Sequence, residues 1–194
     1  MLIVGIDEAV VEADLTSGYI GCPDCKVGLR PWGHGAEREV RLADRAERRR
    51  PRRSICRPCA TTHVLVPEDT LLRRRDAAEV IGAALTAKAK GQGHRKIAAD
   101  LGRLPSTVRG WLRSFSVMAR ALREHFTRWA NALDPGHDRL SRGGSDFFDA
   151  VEAIGMLGVV AVRRFGPRPV WSLASVVTAG RLLCNTSSPF PQPH

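Results

Sequence analysis

Cys22-Pro-Asp-Cys25 and Cys56-Arg-Pro-Cys59 are two Cys-x-x-Cys pairs separated by thirty residues, and they decide how the N-terminal third of this 194-residue chain is read. A two-residue gap lets the backbone turn tightly and aim both sulfurs at one point, and four sulfurs make a tetrahedral zinc site. The expected assembly is a zinc ribbon, with each pair on a knuckle and strands between them. Segments Glu39–Leu42 and Ser54–Ile55 are the candidate strands, and Ala9–Leu15 is a short helix or strand packed on the ribbon. A redox dithiol is the competing chemistry, since a helix N-terminus lowers the pKa of the first thiol of such a pair. Neither pair opens an amphipathic helix, and two pairs are one more than a redox site uses. His34 and His63 could replace or join the ligands, although four cysteines already close the shell. In so small a module the metal supplies much of the folding free energy, on the order of 10 kcal/mol or more in zinc-finger peptides.

Charge narrows the partner. Thirty Lys and Arg against twenty Asp and Glu give a formal net charge of +10, and the sequence pI is about 10.4. Such a chain binds polyanions, and nucleic acid through phosphate neutralisation first of all. The densest cluster is Arg48, Arg49, Arg50, Arg52 and Arg53 around Pro51, with no apolar residue between them. A run of this kind reads as a solvated loop or as an arginine-rich hairpin on phosphate or in a minor groove. Met1–Ile6 is too short for a secretory signal, and Ala153–Val162 is too short to span a bilayer. The expected setting is cytoplasmic and nucleoid-associated, with no membrane partner; thiols stay reduced there, so a cysteine quartet means metal. The fifth cysteine, Cys184, stands alone and reads as a small buried residue.

The next segment has helical periodicity. Asp76 is positioned to cap a helix through Lys88 in which Ala77, Ile81, Ala84 and Leu85 share one face, and Gly91 and Gly93 end it. A short second helix spans His94–Leu101, and Gly102 provides the turn. Pro105 suits the first turn of a third helix, in which Val108, Trp111, Leu112 and Phe115 face inward. Its opposite face carries Ser106, Thr107, Arg109, Gly110 and Arg113. This is the pattern of a helix-turn-helix whose third helix enters the major groove. Arg109 and Arg113 are the candidates for guanine edges, while Ser106 and Thr107 are placed for a phosphate. Arg95, Lys96, Arg49, Arg50, Arg52 and Arg53 complete the candidate DNA-contacting set. An ordinary three-helix bundle would share the periodicity; the Gly turn, the short second helix and the basic surroundings favour DNA.

The remaining apolar patterns predict separate helices over Val117–Leu133, Ser145–Arg164 and Trp171–Leu183. The predicted fold class is therefore mainly α with a small N-terminal β zinc ribbon. Its units are a ribbon with its lead over 1–69, a helix-turn-helix domain over 70–115, a helical region over 116–184 and a disordered tail over 185–194.

Several runs carry a resemblance. Cys22-Pro-Asp-Cys25, Leu29-Arg-Pro-Trp32-Gly-His34, Cys56-Arg-Pro-Cys59 and Thr62-His63-Val-Leu-Val-Pro67 resemble the insertion-sequence-associated helix-turn-helix proteins of actinobacteria, as do Gly93-His-Arg-Lys-Ile97-Ala98 and Thr107-Val-Arg-Gly-Trp111-Leu112. The likeness covers most of residues 10–115 and extends to the N-terminal recognition regions of transposases. It implies a DNA-binding role linked to a mobile element. One departure is that Lys26 and Ala60 stand where such ribbons often have Gly directly after a cysteine pair.

The resulting expectation is a sequence-specific double-stranded DNA-binding protein, either an accessory factor or a transcriptional regulator, with structural Zn2+. A transposase or a second copy of the chain is a candidate partner. The alternatives are an RNA-binding zinc-ribbon protein and the non-catalytic recognition module of a transposase. Catalysis is not expected: strand transfer needs three carboxylates on a mixed sheet holding two metal ions, whereas Asp134, Asp138, Asp146, Asp149 and Glu152 fall on loops and helix surfaces of a helical region.

Overall fold

Asp7 starts the first helix: its carboxylate accepts hydrogen bonds from the backbone of Ala9 and Val10 at 2.9 and 3.2 Å, and Gly18 closes the helix with φ 80°. Helix α1 thus spans Glu8–Ser17 and buries Val11 and Leu15. The computed structural model describes residues 1–136, 143–184 and 190. Around α1 lie strands β1 (Leu2–Val4), β2 (Arg30–His34), β3 (Arg38–Arg41), β4 (Ala46–Arg49), β5 (Arg52–Ile55) and β6 (Thr62–Pro67). Helices follow: α2 (Ala78–Ala89), α3 (His94–Asp100), α4 (Pro105–Leu133), α5 (Asp146–Phe165) and α6 (Val170–Val177).

One sheet has the order β1-β6-β5-β2, with β1 parallel to β6 and the other pairs antiparallel. Of the expected ribbon strands, Ser54–Ile55 falls within β5, whereas Glu39–Leu42 overlaps β3, which ends at Arg41 and lies outside this sheet. Strand β1 was not anticipated, because Leu2-Ile3-Val4 is too short to show a period; it pairs Leu2 with Leu65. The outer strand β2 contains Pro31 and Gly33, the latter at φ 83°, and its register shifts between Pro31 and His34. Both features blunt an edge that would otherwise invite another strand.

Strands β3 and β4 form their own hairpin, which reaches the helices. Val40 is buried in the helical core, the Arg41 N–H donates to the Arg75 carbonyl at 2.7 Å, and the Ala77 N–H donates back to Arg41 at 2.9 Å. Two cores result. A small one gathers Val11, Leu15, Cys22, Leu29, Cys56 and Leu65; a larger one runs through the helices from Ile81 and Trp111 to Leu157 and Trp171.

Three helical expectations need correction. Asp76 does not cap α2: Ala77 occupies the N-cap position without a side-chain hydrogen bond, and the Asp76 carboxylate is buried against Arg103 instead. The helices expected on either side of Ser116 are one, α4, of 29 residues. No Gly or Pro lies between Trp111 and Leu133, and the buried stripe continues unbroken through Phe115, Ala119, Leu122, Phe126 and Ala130. The last helix stops at Val177 rather than Leu183, because Ala179 and Gly180 turn left-handed at φ 50° and 72° and the Gly180 N–H closes on the Ser175 carbonyl at 2.7 Å.

Helix α5 lies along α4. The ion pairs Arg120–Asp146, Arg123–Asp149 and Asp134–Arg163 rise together in both chain segments, so the two helices run in the same direction. Phe147 packs edge-on against Phe115 with ring centroids 4.8 Å apart. Helix α6 then returns to the linker before α2, where Ser175 Oγ donates to the Thr70 carbonyl at 2.7 Å. Its N-terminus receives Glu79, whose Oε1 accepts from the Trp171 and Ser172 N–H groups at 3.0 and 3.1 Å. Burial pushes the Glu79 carboxyl pKa up, and those two backbone donors oppose the shift. The tail expected to be disordered over 185–194 lies outside the described residues except for Phe190, whose ring sits 4.8 Å from that of His125.

Gly82 shows why α2 carries a glycine in its interior. A Cβ there would stand 2.1 Å from the Trp171 ring, so the indole lies directly on the α2 backbone. Gly82→Ala gains helix propensity of about 1 kcal/mol, but the clash must displace a buried tryptophan. A net loss of about 1–3 kcal/mol is expected, readable as a lower denaturation midpoint in urea; a midpoint equal to or above wild type would contradict this packing.

Candidate metal centre and nucleic-acid interface

The sulfurs of Cys22, Cys25, Cys56 and Cys59 all lie within 4.8 Å of one another. A tetrahedron of metal–sulfur bonds of roughly 2.3 Å has edges of about 3.8 Å, and the Cys22 and Cys59 sulfurs are 3.9 Å apart. The donor set is therefore the size of a metal such as zinc. Two matching turns create it. In the first, the Cys22 N–H donates to the Val27 carbonyl at 2.8 Å; in the second, the Cys56 N–H donates to the Thr61 carbonyl at 2.9 Å. The residue after each pair is left-handed, Lys26 at φ 60° and Ala60 at φ 55°. These are the two positions where a glycine was missing from the sequence pattern. The conformation a glycine would favour is present without it, at a modest strain that a metal clamp can hold.

Hydrogen bonds within the cluster move two of its thiols in opposite directions. Hydrogen bonding, first to Cys59 and then to Cys56, pushes the Cys25 thiol up to about 12. Hydrogen bonds from the side chain and backbone of Thr61 hold the Cys59 thiol down at about 6. A metal resolves this by taking all four as thiolates and releasing their protons. Of the two candidate extra ligands, His63 is buried, with Nε2 3.9 Å from Cys22 Sγ, at the flank of the cluster. Its pKa is lowered by burial first, so the neutral ring stands beside the sulfur as an outer hydrogen-bonding group. His34 is exposed on β2 and belongs to no metal-sized group among the described residues.

The arginine run has divided fates. Arg49 is mostly covered: Nη1 donates to both Asp69 oxygens at 2.8 Å, and Nη2 donates to Glu47 at 2.7 Å. Arg52 holds Glu12 through two nitrogens, at 2.7 and 2.9 Å, and donates to the Gly33 carbonyl at 2.8 Å. The Arg52 hydrogen bond is the main reason the Glu12 pKa is lowered. These two arginines therefore stitch the sheet together, a third fate beside free solvation and phosphate contact. Arg53 reaches Thr62 at 3.3 Å, whereas Arg50 is exposed with no hydrogen bond or ion pair among the described residues.

The helical candidates lie together. Ser106, Arg109, Gly110 and Arg113 are exposed along one face of the first turns of α4, and Thr107 is half-buried beside them. Val108, Trp111, Leu112 and Phe115 are buried on the other face, as their spacing predicts. Neither Arg109 nor Arg113 has an ion pair or hydrogen bond among the described residues. Leu104 precedes α4 as its N-cap and offers no side-chain bond. Pro105 has no N–H, and the Thr107 and Val108 N–H groups donate to the Leu104 carbonyl at 3.0 and 3.2 Å, which leaves the Ser106 N–H as the donor of the first turn without an acceptor among the described residues. From Leu101 to Arg123 the sequence has five arginines and no acidic residue, a signal present in the sequence but overlooked by periodicity. Arg95 and Lys96 are exposed on α3, with Lys96 3.2 Å from Asp100.

Sequence reasoning missed Arg103. It sits in the turn between α3 and α4, with Nε on buried Asp76 and Nη2 on the Leu42 carbonyl of the β3–β4 connection at 2.7 Å. One side chain thus ties that turn to the hairpin. No helix among the described residues is long and apolar enough to cross a membrane. The chain matches no protein-family model, no curated protein and no solved structure.

Proposed function

We propose that the protein is a sequence-specific double-stranded DNA-binding protein in which α2, α3 and α4 form a helix-turn-helix and a zinc ion on four cysteines holds a ribbon beside it. The observation that carries this reading is the face of α4 bearing Ser106, Arg109, Gly110 and Arg113: basic, exposed and without internal partners, on a helix whose other side is locked in the core. A guanidinium there can meet both acceptors of a guanine edge. The Ser106 N–H and hydroxyl, at the positive end of α4, suit a phosphate. Gly110, without a side chain, lets the helix approach the bases closely. The zinc has a structural role, because four thiolates leave no open position for substrate. The link with a mobile element, as accessory factor or regulator, rests on the resemblance over residues 10–115.

Selection of bound sequences from a random duplex pool at near-physiological salt tests this. A consensus is expected, with affinity that falls steeply as salt rises. Replacing Arg109 or Arg113 by Ala should reduce discrimination at one base pair roughly 5- to 150-fold while leaving the fold intact. Full discrimination by both variants would remove α4 as the recognition helix. Tighter binding to structured RNA than to any duplex would replace DNA with RNA as the partner.

A further inference from the structure

Between α1, the end of β1 and the β3–β4 hairpin lies a cavity of about 1090 Å³. Its lining combines the apolar residues Val4, Ile6, Ala9, Val11 and Pro67 with Arg38, Arg48, Arg49, Arg50 and Arg52 and the carboxylates of Glu8, Glu12, Glu47 and Asp69. Arg49 and Arg52 are matched internally by Asp69, Glu47 and Glu12. The other three are not matched in the same way. Arg48 reaches Glu37 only at 3.9 Å with its side chain 82 % exposed, and Arg50 has no partner among the described residues. Arg38 is the sharpest case. Its Nε is buried without a hydrogen-bond partner, it makes no ion pair among the described residues, and it stands opposite Arg49 across the hairpin.

A buried donor with no acceptor is expensive, and a half-buried guanidinium beside another guanidinium more so. An anion entering the cavity offsets the crowded positive charge, whereas the Arg38 Nε is closed to solvent and out of its reach. Guanidinium groups in the lining favour a phosphate, which accepts from several donors at once. The space is much larger than a phosphate needs, and part of the lining is apolar, as in binding pockets for organic ligands. Glu8 at the rim is an acceptor for a sugar hydroxyl.

We propose that this cavity binds a nucleoside phosphate, with the phosphate on Arg38 and Arg50 and the base on the apolar residues Val4, Ile6 and Pro67. The same chemistry is offered by a free mononucleotide and by the 5′-phosphorylated end of a nucleic-acid strand. The site is distinct from the face of α4 and does not depend on the duplex-binding reading.

Titration of the metal-loaded full chain with AMP, and with a short single-stranded oligonucleotide carrying or lacking a 5′-phosphate, tests the assignment by fluorescence anisotropy and competition. Saturable binding is expected, weakened at least tenfold by Arg38→Met and at least threefold by Arg50→Ala, an exposed position where folding is not at stake. Arg109→Ala/Arg113→Ala should leave it unchanged while abolishing duplex discrimination, so the two sites succeed or fail separately. AMP binding as tightly as the phosphorylated strand supports the site with a free mononucleotide as its ligand. A strand preferred at least tenfold over AMP and over its 5′-hydroxyl counterpart supports it with a strand end. Absence of binding by every phosphate probe, or binding that neither arginine variant weakens, overturns the proposal.

Discussion

Stripping the metal is expected to unfold α1 and the β1-β6-β5-β2 sheet while α2 to α6, and the β3–β4 hairpin docked on them, stay folded. The small core explains the asymmetry: six buried side chains, two of them cysteines, surround the cluster, whereas the large core is built almost wholly by the helices. Six buried side chains cannot offset the conformational entropy of the residues ordered around them. In zinc-finger peptides the metal contributes about 10 to 16 kcal/mol of apparent binding free energy, and that free energy is folding free energy. Chelation, or Cys56→Ser, should therefore remove amide protection from β5 and β6 and leave protection in α4 and α5. Acidification should act in the same direction, since protons compete with the metal for the thiolates. Hydrogen exchange followed by mass spectrometry reads each segment separately. Retention of protection in β5 and β6 after complete metal removal would sink the structural role of the ion.

The cysteine cluster was legible because ligand spacing is a local code. Two residues between thiols fix a turn, and four thiols have one common use in a reducing setting. The left-handed backbone at Lys26 and Ala60 was not legible, because neither residue announces a positive φ; the turn imposes it. Asp76 shows the opposite failure. An Asp just before a helical pattern is the strongest local signal for a cap, yet a partner 27 residues away, Arg103, takes the carboxylate. Tertiary pairing overrode a local preference of about 1 kcal/mol. The break expected near Ser116 had no breaking residue behind it, and α4 runs through it. The exposed face of α4 was read correctly because its buried face is so regular. The arginine run misled for a simple reason: acidic partners at Glu12 and Asp69 are remote in sequence, and charge runs are judged by their neighbours.

Arg103→Met is expected to be the most damaging single change outside the cysteines. The Asp76 side chain is 6 % exposed and that of Arg103 13 %, so the pair is screened little by water. Removing the guanidinium leaves a buried carboxylate without its counter-charge, which costs about 3–5 kcal/mol in comparable pairs. The Leu42 carbonyl loses its donor at the same time. Calorimetry should register a fall in Tm of about 10 °C, given about 2–4 °C per kcal/mol for a chain of this size. Asp76→Asn combined with Arg103→Met should recover part of the loss, because the stranded charge is then gone; a double variant as unstable as the single would place the cost elsewhere. A second readout separates stability from positioning. Arg103 ties the turn before α4 to the hairpin that carries exposed Arg48, so under the proposed function the double variant, though refolded, should bind a selected duplex more weakly than wild type at equal salt. Undiminished duplex binding by a stable double variant would mean that the hairpin and α4 act independently, and that the buried pair serves the fold alone.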